Sequence, residues 1–394
     1  MARTQTTTAA RRAEYTPGEE EILERRLYLA LELSKSSWLL GFRAGLGQKL
    51  RRCGIAAWDL AELEREIARA KKRFGLAEDA EVMSCYEVGR EGFSVHRALE
   101  SLGVDNVPVA SSSIEVKRGK GAKTDRLDLD KLSRMLVRYG LGEVNVWSVV
   151  RVPSVDAEDF RHLHRERATL KKLRTAESNR LRSLLAIQGI AWEGRIDGSF
   201  AVEELRCWDG SALPRFLRYQ LDLGLERLHQ LDQQLDELET LRRSMLADPA
   251  SYGPHQESLE LIQLLMQLTS LGINSAWVLV AEFFGWREFR NRKQVGGASG
   301  LCGTPYNSGT SQREQGISHA GNAWIRPVMI ELAWLWRRWQ PQSRLTLWFE
   351  QEWGKRSSRH RKVGIVALAR KLLIALWRYL EHGEVPDGAR LKAA

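Results

Sequence analysis

The period of hydrophobic and polar positions changes several times along the chain. From Tyr28 to Phe42 the order Tyr-Leu-Ala-Leu-Glu-Leu-Ser-Lys-Ser-Ser-Trp-Leu-Leu-Gly-Phe alternates on either side of Ser-Lys-Ser, which predicts two strands joined by a tight turn. Residues 57–74 carry a charged helical pattern. Residues 81–87 read as a third strand, a helix follows Gly89 and Gly92 as far as Leu102, and residues 105–110 form a short strand. The Ser-Ser-Ser at 111–113 and the glycines at 119 and 121 mark a loop. An apolar run at Leu127, Leu129, Leu132, Met135 and Leu136 then predicts a helix opening at Asp125. Strands alternating with helices predict an α/β layer for this part of the chain.

Beyond it the pattern is helical. Residues 156–187 and 214–247 are long and charged, with Phe160, Leu163, Leu170 and Leu173 as the apolar stripe of the first. In the second, Leu228, Leu231, Leu235 and Leu238 step by three, four and three, the spacing of a coiled-coil seam. The two helices are expected to pair with each other or with another subunit. Arg161, Arg165, Arg167, Lys171, Lys172 and Arg174 give the first a basic face, suited to solvent or to nucleic acid. From Leu259, two apolar helical runs flank Leu268-Thr-Ser-Leu-Gly-Ile-Asn-Ser-Ala276. This is expected to be a helix-hairpin-helix turn whose amides hold a phosphate, with Asn274 in a left-handed conformation. Residues 296–316, rich in Gly and Ser, are expected to be a long polar loop before a Trp- and Arg-rich helix resumes near Asn322.

Charge narrows the function. The chain of 394 residues is 43% hydrophobic, enough for two or three domains with real cores, and its net charge of +10 argues for a polyanionic partner. Ten Lys and Arg lie between Arg337 and Lys371 against only Glu350 and Glu352, and nine of the 14 Trp fall at or after Trp277. Interleaved Arg and Trp suit phosphates and bases, although core packing accounts for most of the Trp. Cys53, Cys85, Cys207 and Cys302 form no C-x-x-C pair, so neither a zinc knuckle nor a disulfide framework is indicated and a reducing compartment is expected. No leader peptide and no membrane span are expected, and residues 1–20 read as a flexible basic tail.

The candidate chemistry starts at Lys123-Thr124-Asp125-Arg126-Leu127-Asp128. At helical spacing Asp125 and Asp128 share a face in a first turn, where the helix dipole favours negative charge. Lys117, Arg118, Lys120, Lys123 and Arg126 surround them. An acidic pair in a basic field suits a divalent metal acting on a phosphodiester; a decorated surface helix gives the same spacing. Glu32 and Glu87 each end an apolar strand, and in α/β layers acids at strand carboxyl ends gather on one edge. A salt bridge to Lys35 is the competing account of Glu32.

Taken together, Leu31-Glu-Leu-Ser-Lys35, Tyr86-Glu87, Lys123-Thr-Asp-Arg-Leu-Asp128, and Gly300-Leu through Asn307-Ser308-Gly309 to Gly321-Asn322-Ala-Trp-Ile-Arg326 resemble the DEDD transposases. This is the insertion-sequence group, often called the IS-one-ten group, that includes the Piv-like DNA invertases. The match runs in order over most of residues 27–340. The resemblance implies a RuvC-like, ribonuclease-H-type catalytic domain over residues 21–145. A coiled-coil helical region over 146–255 and a mostly helical C-terminal transposase domain over 256–394 follow. It places the family's four acids on Glu32, Glu87, Asp125 and Asp128, holding Mg²⁺ or Mn²⁺, and its nucleophilic serine on Ser308. One departure is Glu32, where the family has Asp; a side chain longer by one methylene shifts a held metal by about an ångström and still ligates Mg²⁺.

The implied activity is RNA-guided recombination. A structured non-coding guide RNA, the bridge RNA, pairs with donor and target double-stranded DNA while the protein cuts and rejoins strands. A homodimer assembling to a tetramer in the bacterial cytoplasm, associated with the nucleoid during transposition, is the implied form. Nucleic acid is expected on the basic residues already named and on Arg313, Asn322, Arg326, Lys355, Arg356, Arg359, Arg361 and Lys362. Activation of the serine falls first to the metal and second to a base such as His319; Ser311 is the substitute nucleophile. A RuvC-like nuclease that only hydrolyses, and an inactive nucleic-acid-binding relative, are the competing functions.

Overall fold

The computed structural model describes residues 26–89, 92–114, 125–143, 145–197, 200–308, 311–318 and 321–392, without the side chains of 112, 125, 126, 305–308 and 311–315. The chain divides after Val152 into two compact units.

The first unit is a mixed sheet between helices. Its elements are β1 (Leu27–Leu33), β2 (Ser37–Arg43), β3 (Arg51–Ala56), α1 (Leu60–Arg73), β4 (Val82–Glu87), α2 (Ser94–Ser101), β5 (Asp105–Val109) and α3 (Asp125–Gly140). The strand order is β3-β2-β1-β4-β5. The first three strands pair antiparallel, and β1, β4 and β5 pair parallel. The β1–β2 turn is tight because the Ser34 hydroxyl donates to the Ser37 carbonyl at 2.6 Å and accepts from its N–H at 3.2 Å. Strand alternation separates two cores. Leu27, Leu29 and Leu31 face Leu63 and Ile67 of α1 and Val95 and Leu99 of α2, whereas Tyr28, Ala30, Met83 and Cys85 face Leu129, Leu132 and Leu136 of α3.

Two expectations change here. β3 is a strand that the pattern did not announce, because Arg-Arg-Cys-Gly-Ile-Ala lies on a sheet edge and buries only Ile55. Charges on an edge strand keep further strands from adding to it. Leu127 does not belong to the buried face of α3; it is 57% exposed, while Leu129, Leu132, Met135 and Leu136 are buried. Past α3 the chain returns to β5, where Ser148 accepts from Ala110 N–H at 2.9 Å and Val150 N–H donates to Pro108 at 2.8 Å.

The second unit begins with α4 (Val155–Ile187) and α5 (Arg215–Ala247), each about 50 Å long at 1.5 Å per residue. They pair with each other, antiparallel, as the ion pairs Arg167–Glu239, Arg174–Asp232 and Arg227–Glu177 show by running in opposite order. Gly224 permits the approach: a Cβ there would meet the Leu181 side chain at 2.4 Å. Leu228 is buried, and Leu231, Leu235 and Leu238 are half-buried. The basic face expected on α4 is largely structural. Arg167 and Arg174 bind α5, Arg161 is buried, and Arg165 binds Glu282.

The rest of the unit is a helical core. α6 (Gln256–Met266) turns into α7 (Ile273–Leu279), which continues as a π-helical segment, Val280–Phe284. Then come α8 (Arg292–Ala298), β6 (Gly303–Ser308), β7 (Ser311–Ile317), α9 (Ile325–Trp339), α10 (Arg344–Phe349) with a second π segment, Glu350–Gly354, and α11 (Ser358–His382). Trp277, Phe283, Met329, Trp336, Phe349 and Leu372 pack in one cluster. Asn274 is not left-handed: it lies in the first turn of α7, where its Oδ1 accepts from the buried Arg242 at 2.8 Å. Burial lowers Arg242 to about 10, and its guanidinium also lies 4.6 Å over the Trp277 ring. The expected polar loop over 296–316 is instead the end of α8 and an antiparallel hairpin.

Candidate active site and nucleic-acid surface

The register of the first sheet brings two of the four acids together. The parallel pairing of β1 and β4 ends at Leu31 and Tyr86, so Glu32 and Glu87 follow side by side at the carboxyl ends of the two strands. By alternation both continue the series that faces α3, Tyr28 and Ala30 in β1 and Met83 and Cys85 in β4. The direction of α3 adds the other two. A Cβ at Gly140 would lie 2.5 Å from the Tyr28 ring, and one at Gly41, the partner of Ala30, lies 3.0 Å from Leu129. The helix therefore runs antiparallel to β1, and its opening turn, with Asp125 and Asp128, points toward the carboxyl ends of β1 and β4.

Glu32 and Asp128 are half-buried and Glu87 is exposed; the Asp125 side chain lies outside the described residues. Among the described residues no three His, Cys, Asp or Glu side chains stand close enough to hold a metal ion. Carboxylates brought close together repel one another unless a cation or a shared proton offsets the charge. The donor set is all oxygen, which suits Mg²⁺.

Ser308 is the last residue of β6. It pairs with Ser311 across the two-residue tip of the hairpin, and both side chains, like the whole of His319, lie outside the described residues. The feet of the hairpin are firmly tied. Ser318 N–H donates to Cys302 O at 2.8 Å, and Asn322 N–H donates to Ala298 O at 3.2 Å. Gly321 between them has φ +125°, and a Cβ on it would lie 2.6 Å from the Ala298 oxygen and the Gly300 nitrogen.

Asn322 leads inward. Its Nδ2 donates to the main-chain oxygen of Glu282 at 3.1 Å and to Oε2 at 3.2 Å. Glu282, 2% exposed, also receives His164 Nε2 at 2.8 Å and Arg165 Nε at 2.8 Å. Burial opposes its ionisation, but the bonds from His164, Arg165 and Asn322 outweigh it and hold the carboxyl at about 2. One carboxylate thus joins α4, the π segment and the foot of the hairpin. The sequence reading missed this hub, although a lone Glu inside Val278-Leu-Val-Ala-Glu-Phe-Phe284 was its signal, because a buried carboxylate requires partners.

The expected nucleic-acid residues divide. Lys117, Arg118, Lys120 and Lys123 lie outside the described residues, as do the side chains of Arg126 and Arg313. Asn322 serves the interior, and Arg326 is half-buried at the start of α9. Lys355, Arg356, Arg359 and Lys362 are exposed and Arg361 half-buried where the second π segment meets α11. Several Trp faces are covered by the chain's own cations: Arg356 lies 4.9 Å over Trp353, Arg338 5.1 Å over Trp339 and Lys371 4.4 Å over Trp348. A groove of about 1260 Å³ runs beside α11 to the hairpin feet, with Val366, Ala367 and Ile374 on its floor and Arg292, Lys362 and Arg370 among its cations.

Comparison with known proteins assigns the family. Residues 262–347, which span α7 to α9 and the hairpin, match the domain described as the transposase IS116/IS110/IS902 family. A candidate transposase of Sinorhizobium fredii, y4rJ, is 38% identical over 375 residues, covering 93% of this chain and 94% of its own. A second from that organism, y4qE, is 26% identical over 381 residues, covering 90% and 88%. The transposase for insertion sequence element IS1328 of Yersinia enterocolitica is 26% identical over 237 residues, covering 58% and 65%. With 93% of the chain aligned at 38% identity to y4rJ, itself covered to 94%, the chain belongs to the IS116/IS110/IS902 family of insertion-sequence transposases.

Proposed function

We propose that this transposase is an RNA-guided DNA recombinase that cuts and rejoins donor and target strands through a phosphoserine link at Ser308. The observation that carries the reading is the sheet register that sets Glu32 beside Glu87 on the face covered by α3. Three antiparallel strands followed by two parallel ones, with acids at the parallel carboxyl ends, support a RuvC-like, ribonuclease-H-type domain. Glu32, Glu87, Asp125 and Asp128 would hold Mg²⁺, with Mn²⁺ as a substitute. When bound, such an ion neutralises the phosphate and stabilises the displaced oxygen.

The remaining work falls to the chain. Ser308 Oγ attacks the phosphorus, the phosphorus–oxygen bond to one sugar breaks, and that sugar oxygen takes a proton as it leaves. The serine proton passes to a base, for which His319 is the candidate side chain and ranks second to a bound ion as activator, and that proton goes on to the departing sugar oxygen. The phosphoserine ester keeps the energy of the broken phosphodiester, so a sugar hydroxyl of another strand reverses the step without ATP. Ser308 and the acids belong to different compact units, and we place their meeting in the assembled nucleic-acid complex, a dimer maturing to a tetramer. The basic surface at Lys355–Lys362 suits backbone and shape, which leaves sequence choice to base pairing by the guide RNA.

The test is strand cleavage with donor DNA, guide RNA and Mg²⁺, resolved on denaturing gels. The wild type is expected to give a protein–DNA adduct that Ser308→Ala abolishes, and Asp125→Ala or Asp128→Ala to lose all cleavage. Cleavage by Ser308→Ala at the wild-type rate, with no adduct from either protein, would assign hydrolysis instead. An adduct that survives Ser308→Ala and disappears with Ser311→Ala would move the nucleophile.

A further inference from the structure

The first unit holds a second polar hollow, separate from the strand-end acids. It has a volume of about 580 Å³ and lies between the β2–β3 turn and α3, lined by Arg43, Lys49, Arg52, Asp130 and Arg134 among others. Asp130 is two residues along α3 from Asp128, about 200° round the helix, so it looks away from Asp128. Its Oδ1 accepts from Arg43 Nη2 at 2.5 Å and lies 3.9 Å from Arg52 Nη2, and its Oδ2 lies 2.7 Å from Arg134 Nη2. Arg43 is built in: it is 6% exposed, its Nη1 donates to the Gln48 carbonyl, and its Nε has no partner among the described residues.

The charges do not balance. Three guanidinium groups meet one carboxylate and Lys49 adds a fourth cation, which leaves an excess of three positive charges on the wall of one hollow. A cluster serving stability alone would match each cation with an acid, since like charges held together are costly. Arg43 and Asp130 are held by the fold, while Lys49, Arg52 and Arg134 are exposed and able to turn toward a ligand. Arginine forks match the tetrahedral oxygens of a phosphate. We infer that this hollow is a backbone-phosphate site for nucleic acid, with Arg43 and Asp130 as its frame and Lys49, Arg52 and Arg134 as its ligand contacts. It rests on the family's action on DNA and not on the serine chemistry, so either can fail alone.

The experiment measures binding of the full-length chain to duplex DNA of unrelated sequence and to an RNA hairpin, from 50 to 300 mM salt. Lys49→Gln, Arg52→Gln and Arg134→Gln, singly and together, lie at exposed positions and are expected to melt like the wild type. Losing one phosphate contact removes about 0.9 from the slope of log affinity against log salt, which is about eightfold in affinity at 0.1 M salt. Asp130→Asn removes the competing carboxylate and is expected to tighten binding by several fold while lowering the melting temperature. A cluster that only braces the fold gives a different pattern, with Asp130→Asn less stable and affinity unmoved. A loss confined to DNA assigns the phosphate to DNA, and a loss confined to RNA assigns it to RNA. A triple variant that binds both with wild-type affinity and wild-type slope overturns the inference.

Discussion

Glu282 shows how one side chain can organise a region. Its carboxyl is held at about 2 against an ordinary value near 4.5, because His164, Arg165 and Asn322 all favour the charged form. A depressed acid stabilises the fold fully above its unfolded pKa and loses that contribution as pH falls through the folded one. The difference corresponds to about 3 kcal/mol, present above about pH 4.5 and lost progressively toward pH 2. Glu282→Gln is expected to lower the stability of the second unit by about 3 kcal/mol near neutral pH, read as a drop in the urea midpoint, and to flatten its acid dependence. An unchanged midpoint would mean that the hub carries no net stability. Glu282 was readable in the sequence as an anomaly, an acid in an apolar run. Its partners were not, because His164 and Arg165 stand more than a hundred residues away and no local pattern couples them.

Among the elements, the hairpin that carries Ser308 separates what local pattern can reveal from what it cannot. Gly and Ser spacing over 296–316 reads as a loop, yet the chain pairs as β6 and β7, since backbone groups there find partners across the hairpin whatever the side chains. β3 escaped notice for the same reason, as pairing on a sheet edge asks little of the side chains. By contrast, α3, α4 and α5 announce themselves by helical periodicity because each buries one face, and β1, β2 and β4 by short, largely apolar runs because the sheet is covered on both faces. Gly321 fixes how the hairpin leaves its base. With φ +125° and backbone atoms 2.6 Å from where a Cβ would sit, Gly321→Ala is expected to cost about 2–4 kcal/mol and to displace the Asn322 anchor. Gly297→Ala, in α8 with open space around it, is the matched control and is expected to be neutral or to stabilise by up to about 1 kcal/mol. Chemical denaturation of the two variants checks both; equal midpoints would show that the turn tolerates a side chain.

In the molecule as a whole, the candidate groups lie in two compact units. The first gathers acids at the carboxyl ends of parallel strands; the second carries the serine hairpin, braced through Asn322 and Glu282 to the long α4–α5 arm. The acid positions were legible because strand ends and a helix start are local features and parallel register follows from the crossover. The role proposed for Ser308 rests on resemblance alone, since a serine beside a glycine in a turn has no chemical signature of its own. The central claim is that Ser308 oxygen bonds to DNA phosphorus during strand exchange. The most direct measurement traps the reaction with guide RNA, donor and target DNA, digests protein and DNA, and locates the nucleotide adduct by peptide mass spectrometry. The account predicts a single phosphodiester-linked nucleotide on Ser308, absent when Asp125 or Asp128 is replaced by Ala; exchanged product strands with no adduct on any serine would contradict it.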